Sequence, residues 1–161
     1  MTSYKHVFFE PWIGAEYGRD GLWGRKVLVV GESHYEQFHS DKEAEKNGTP
    51  KPKQALDRDW TQECAQDVVN EPPKLTAFWT SVRNRIGEDE YESARPMMFW
   101  QRVAYYNFVQ TPVGGASCVA PTRKQFEESV DAFLEVISLI ASERIVIMGE
   151  RTNPHAPPTR R

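Results

Sequence analysis

The chain has 161 residues, a formal net charge of −3, and a composition that is 39% hydrophobic and 12% aromatic. That length suits one domain with a core large enough to fold without disulfide staples. The charge excludes a global field that draws in nucleic acid, so such a partner would have to be met by a local basic patch. No apolar run is long enough to cross a membrane, and the N-terminus (MTSYKHVFFEPW) lacks the pattern of a secretory signal. A cytoplasmic location with no membrane partner is therefore expected. Cys64 and Cys118 make no CxxC pair and are expected to be free thiols.

Residues 1–25 are rich in aromatics and glycine and read as an irregular lead-in that packs against a sheet. Residues 27–30 (VLVV) form the first predicted strand. Their apolar run is continuous, which suggests burial on both faces and a central parallel position. Residues 39–53 are polar and charged and read as a mobile loop beside the end of that strand. Two amphipathic helices are predicted at 59–69 and 75–86, separated by Pro72 and Pro73, with Leu75, Phe78, Val82 and Ile86 on one face of the second. A third helix is predicted at 94–104, with Ser93 as cap and Pro96 in its first turn.

A second buried strand is predicted at 105–110 (YYNFVQ), from its β-rich composition. Thr122 and Gln125 make a capping box, and the helix that follows spaces Phe126, Val130, Phe133, Ile137 and Ala141 on one side. Residues 144–148 (RIVIM) read as a third buried strand ending on Gly149. Residues 151–161 have no periodicity and read as an extended or disordered tail, made basic by Arg151, Arg160 and Arg161. This order predicts a three-layer α/β/α domain with a central, mainly parallel sheet.

The chemistry-bearing stretch is 26–35, KVLVVGESHY. A buried strand that ends on glycine and opens into polar side chains is how α/β sheets present ligand sites, beyond the carboxyl ends of their strands. Gly31 allows a sharp turn and close approach of a ligand. Glu32 is a candidate acid–base carboxylate, or a carboxylate capping backbone amides. Asn107 is either a ligand contact or a partner for buried backbone groups. Tyr35 and the pair Tyr105 and Tyr106 read as core or pocket wall, and Trp60, Trp79 and Trp100 as core. His34 and His39 form no metal-ligand spacing, so no metal is expected.

In order and spacing, these segments resemble the uracil-DNA glycosylase superfamily over roughly residues 26–150. GESHY stands for the family's GQDPY-, GINPG- or GEAPG-type motif, YYNFVQTP for its base-reading strand, Pro121 and Thr122 for its Pro-Thr helix start, and IVIMGE for its late strand. The resemblance implies a single domain of that fold over 1–161 and hydrolysis of an N-glycosidic bond to a damaged or deaminated base, as in DNA repair. It implies Glu32 as the catalytic carboxylate, Gly31, Ser33, His34, Tyr35 and Asn107 as substrate-binding residues, and nucleic acid or a nucleotide as partner. The chain departs from the family at Ser33, where some members carry Asp or Asn, and at His34, where the motif has proline. It has no clear counterpart of the C-terminal His-Pro-Ser loop, so the domain is expected either to be C-terminally short or to end differently from the family's. Two cysteines cannot supply the iron–sulfur cluster of some members, so no cofactor is expected. Two alternatives remain open: a catalytically inactive relative that binds nucleotide or nucleic acid, and a serine esterase similar to the SGNH type, with Ser33 as nucleophile and His155 as base.

Overall fold

A computed structural model describes residues 4–35, 57–70, 77–87, 96–114 and 119–157. The predicted loop at 39–53, Leu75, the Pro72–Pro73 pair, Ser93 and Cys118 lie outside the described residues. Four strands form one sheet: β1 (Trp12–Ile13), β2 (Val27–Gly31), β3 (Val103–Asn107) and β4 (Arg144–Ile147), in the order β1-β3-β2-β4. β2 is central and runs parallel to both neighbours, while β1 caps β3 antiparallel. The parallel register sets Gly31 opposite Asn107. The two segments singled out in the sequence therefore end side by side on one edge of the sheet.

The continuous apolar run of β2 is fully enclosed, as its pattern predicts. Its side chains alternate between two cores. Leu28 and Val30 join Ala104 and Tyr106 against helices α4 (Arg123–Glu128) and α5 (Val130–Ile140), through Phe126, Phe133 and Val136. Val27 and Val29 join Val103 and Tyr105 against α1 (Trp60–Asn70), α2 (Ala77–Ile86) and α3 (Pro96–Arg102), through Ala65, Val82 and Trp100. The molecule is thus a mixed α/β domain with helices against a four-stranded, mostly parallel sheet.

Several boundaries differ from the sequence reading, each for a physical reason. The second long strand begins at Val103, not Tyr105, and takes two residues from the predicted helix at 94–104. Val103 pairs with Val27 and is fully buried, so sheet pairing overrides local helix preference. The strand at 144–147 is an edge strand, not a buried one. Among the described residues only β2 pairs with it, leaving Arg144 exposed and Ile145, Val146 and Ile147 half-buried.

The long helix after the Thr122 capping box breaks at Ser129. The Ser129 hydroxyl donates to the Gln125 carbonyl (2.7 Å), the acceptor its own amide would use in an unbroken helix, and that amide turns to Phe126 instead. The lead-in contributes β1 and a 3-10 turn at Leu22–Gly24. It is pinned by Gln110, whose Oε1 accepts the amides of Phe8 and Phe9 (both 2.9 Å) and whose Nε2 donates to the Asn107 carbonyl (2.8 Å).

The expected extended or disordered tail is folded back over its first part. Gly149 takes a left-handed φ of 131° that turns the chain off β4. Asn153–His155 form a 3-10 turn, Thr152 is buried, and the His155 ring stacks on Phe126 with centroids 4.4 Å apart.

Candidate functional site

The chain leaves β2 for β3 on one side and returns to β4 on the other, so the winding reverses at β2. In such sheets the crevice beyond the carboxyl ends at the reversal is where ligands sit. A cleft of about 710 Å³ opens there. Its polar wall comes from the segment after β2 (Glu32, Ser33, His34, Tyr35) and from Asn107 at the end of β3. The rest of its lining is largely apolar and aromatic, from Trp60 and Cys64 on α1 and Phe78 and Trp79 on α2. Arg151, after β4, stands in the lining as well.

Gly31 does not turn the chain sharply. Among the described glycines only Gly24 and Gly149 have positive φ. The segment after β2 instead stays bonded to residues 108–113. The carbonyls of Gly31, Glu32 and His34 accept the amides of Phe108 (3.0 Å), Val109 (2.9 Å) and Val113 (2.9 Å). Glycine is needed for closeness: a Cβ at position 31 would run into Asn107 Oδ1 and come within 2.6 Å of Tyr105 Oη. The missing side chain lets two polar side chains of β3 lie against the end of β2.

Those side chains start a buried polar chain. Tyr105 Oη donates to Asn107 Oδ1 at 2.7 Å. Burial pushes the Tyr105 phenol far above its usual range, so it stays protonated and donates. Asn107 Nδ2 lies 3.2 Å from His34 Nδ1 and 3.1 Å from Nε2, against the ring between them. His34 Nε2 is in turn 2.7 Å from Thr61 Oγ1 on α1. Phe9 packs edge-on to the imidazole, with centroids 4.7 Å apart. His34 is only 6% exposed, and burial lowers its pKa to about 3, so the ring is neutral at physiological pH. It is a rigid, uncharged support for the Asn107 amide.

Glu32 has a different environment. Both of its carboxylate oxygens accept from Arg151, at 2.9 Å from Nε and 2.7 Å from Nη2. The Glu32 side chain is 14% exposed and that of Arg151 54% exposed. Ser33 Oγ is buried with no hydrogen-bond partner among the described residues. His155, the base of the esterase alternative, is therefore not on it and stacks on Phe126 instead, while the neighbouring His34 engages Thr61 and Asn107. The Cys64 thiol is pushed up to about 11, by burial first and then by Asp67 and Glu63, so it is protonated and a poor nucleophile. Among the described residues no group of three or more His, Cys, Asp or Glu is placed to hold a metal, and no helix is long and apolar enough to cross a membrane.

Glu32, Ser33, His34, Tyr35 and Asn107 thus share one cleft, with Gly31 directly beneath Asn107. Sequence reasoning assigned Trp60 and Trp79 to the core, and their helical spacing carries no signal to separate a core face from a cleft wall. Trp79 is in fact both, at 8% exposure and 4.7 Å from the Tyr105 ring. Thr61 and the pairing of Arg151 were missed, because both depend on contacts distant in sequence. No family model, curated protein or solved structure matches the chain.

Proposed function

We propose that the chain is a uracil-DNA-glycosylase-like protein with that superfamily's three-layer α/β/α fold, hydrolysing the N-glycosidic bond of a damaged or deaminated base. One observation carries the reading. A carboxylate (Glu32) and an amide (Asn107) stand at the ends of adjacent parallel strands and share one cleft with the aromatic side chains of Trp60, Phe78 and Trp79. Base recognition uses an aromatic face and polar edge contacts, and an amide can both donate to and accept from a base edge.

In the reaction the bond from the sugar to the base breaks with its electron pair leaving on the base. Positive charge develops on the sugar and is offset by the Glu32 carboxylate. The same group orients a water, which adds its oxygen to the sugar carbon and gives up a proton that neutralises the departing base anion. Asn107 holds the departing base, its geometry fixed by Tyr105 and His34.

The test is single-turnover incubation with single- and double-stranded oligonucleotides carrying uracil, hypoxanthine or a mismatched base, followed by alkali. Abasic-site cleavage by the wild type that is lost in Glu32→Gln supports the reading. Cleavage that persists undiminished in Glu32→Gln removes Glu32 from the chemistry. The second reading, a binding relative without activity, is favoured by one feature: both Glu32 oxygens are held by Arg151. Absence of cleavage at enzyme excess, with the protein folded, selects that reading.

A further inference from the structure

The two edges of the sheet differ. The β1 edge is two residues long, and so short an edge offers little to pair with. The β4 edge is longer and has no neighbour on its outer side among the described residues. The amides of Arg144 and Met148 donate toward β2, to the carbonyls of Lys26 (3.2 Å) and Val30 (2.8 Å). Alternate residues of a strand serve alternate sides, so the amides and carbonyls of Ile145 and Ile147 face outward. Their side chains lie at the margin of the core cluster that also takes in Val130 and Ile137 of α5. Leu134, one turn from each of these on the same side of the helix, is 44% exposed. A groove of about 420 Å³ opens against this edge, lined by Ile145, Ile147, Gly149, Glu150 and Asn153. Within the run RIVI the only guard against further pairing is the charge of Arg144 at its start, with no proline and an unbroken register.

We infer that the outer edge of β4 is an interface with a second copy of the chain, joined strand to strand and antiparallel about a two-fold axis. Charge complementarity selects this occupant. Arg144 at the start of the edge and Glu150 just beyond its end are exposed, opposite in charge, and without an ion-pair or hydrogen-bond partner among the described residues. An antiparallel copy brings each Arg144 toward the other's Glu150, whereas a parallel copy sets like charges together. Pairing Ile145 with the second copy's Ile147 uses the outward amides and carbonyls of both, so the contact is self-complementary. The axis then passes beside Val146, normal to the sheet. It puts both α5 helices on one face of the joined sheet, with their Leu134 sides turned toward each other. Because the copies run in opposite directions, the two clefts open at opposite ends of that sheet and neither is covered.

The experiment is sedimentation equilibrium of the full chain over roughly 1–200 µM, a range that brackets a micromolar association. The wild type should pass from monomer to dimer mass within it. Arg144→Glu and Glu150→Arg, both at exposed side chains, should each weaken the dimer roughly tenfold, because the symmetry repeats each charge contact and reversal makes it repulsive. The double variant should return to within about threefold of the wild type, since the opposite charges face each other again. Ile147→Pro removes an outward amide and spares those bonded to β2, so it should abolish the dimer while circular dichroism shows the fold retained. A wild type that stays monomeric throughout overturns the inference and leaves the edge to a strand of another protein. A dimer that tolerates both single reversals, or one that survives Ile147→Pro, overturns it as well and places the contact elsewhere on the chain.

Discussion

His34 illustrates how much a single side chain can be asked to do. Its folded-state pKa is held at about 3 by burial, below the ordinary value of 6.5. The unfolded chain therefore binds a proton more readily than the folded one between those two values. Stability is complete above about pH 6.5 and declines as pH falls toward 3. Between pH 6.5 and pH 5 the loss should be about 2 kcal/mol, at 1.36 kcal/mol per unit. Urea denaturation at the two pH values checks this, and His34→Asn should flatten the slope. Gln110 is the second such residue. It satisfies two amides of the lead-in and one carbonyl of β3 from a nearly buried position. Gln110→Leu should cost roughly 2–4 kcal/mol, because these buried groups lose their partner. Gly31→Ala should disrupt the Tyr105–Asn107 bond and damage the cleft even though it adds one methyl. At this scale the sequence was readable for GESHY and Asn107, since a strand ending on glycine before polar residues is a local signal. Arg151 was not readable as the partner of Glu32, because nothing local marks a contact made through β4.

The elements show which boundaries follow from local rules. The Thr122 cap with Gln125 is a local device, and it forms as its pattern predicts. Thr122→Ala should cost about 1 kcal/mol, read from the urea midpoint. Ser129 works differently. Its hydroxyl accepts from the Gln110 amide and donates to the Gln125 carbonyl, joining the end of β3 to the α4–α5 break. Ser129→Ala should cost more than the cap, roughly 1–3 kcal/mol, because it strands a buried donor and an acceptor. The break itself was invisible in the apolar spacing, which runs through Ser129 without interruption. The edge position of β4 was invisible for a related reason. The run RIVI has the composition of a buried strand, and only the sheet order reveals that, among the described residues, one side has no neighbour.

At the scale of the whole molecule, parallel pairing does the work of assembling the site. Because β2 and β3 run the same way in register, their carboxyl ends coincide, and residues 76 positions apart (31 and 107) become neighbours. The cleft draws its polar lining from the strand ends and its aromatic lining, Trp60, Phe78 and Trp79, from α1 and α2. In the proposed function a planar base sits in this cleft against Asn107. The most direct measurement is nuclear magnetic resonance of the side-chain amide of Asn107 and the tryptophan indoles during titration with uracil and hypoxanthine. The Asn107 amide and the Trp60 and Trp79 indoles should shift together and saturate with one binding constant, while Trp23, outside the cleft, stays still. A cleft that leaves all three signals unmoved, or a base that shifts Trp23 instead, would contradict base binding at Asn107.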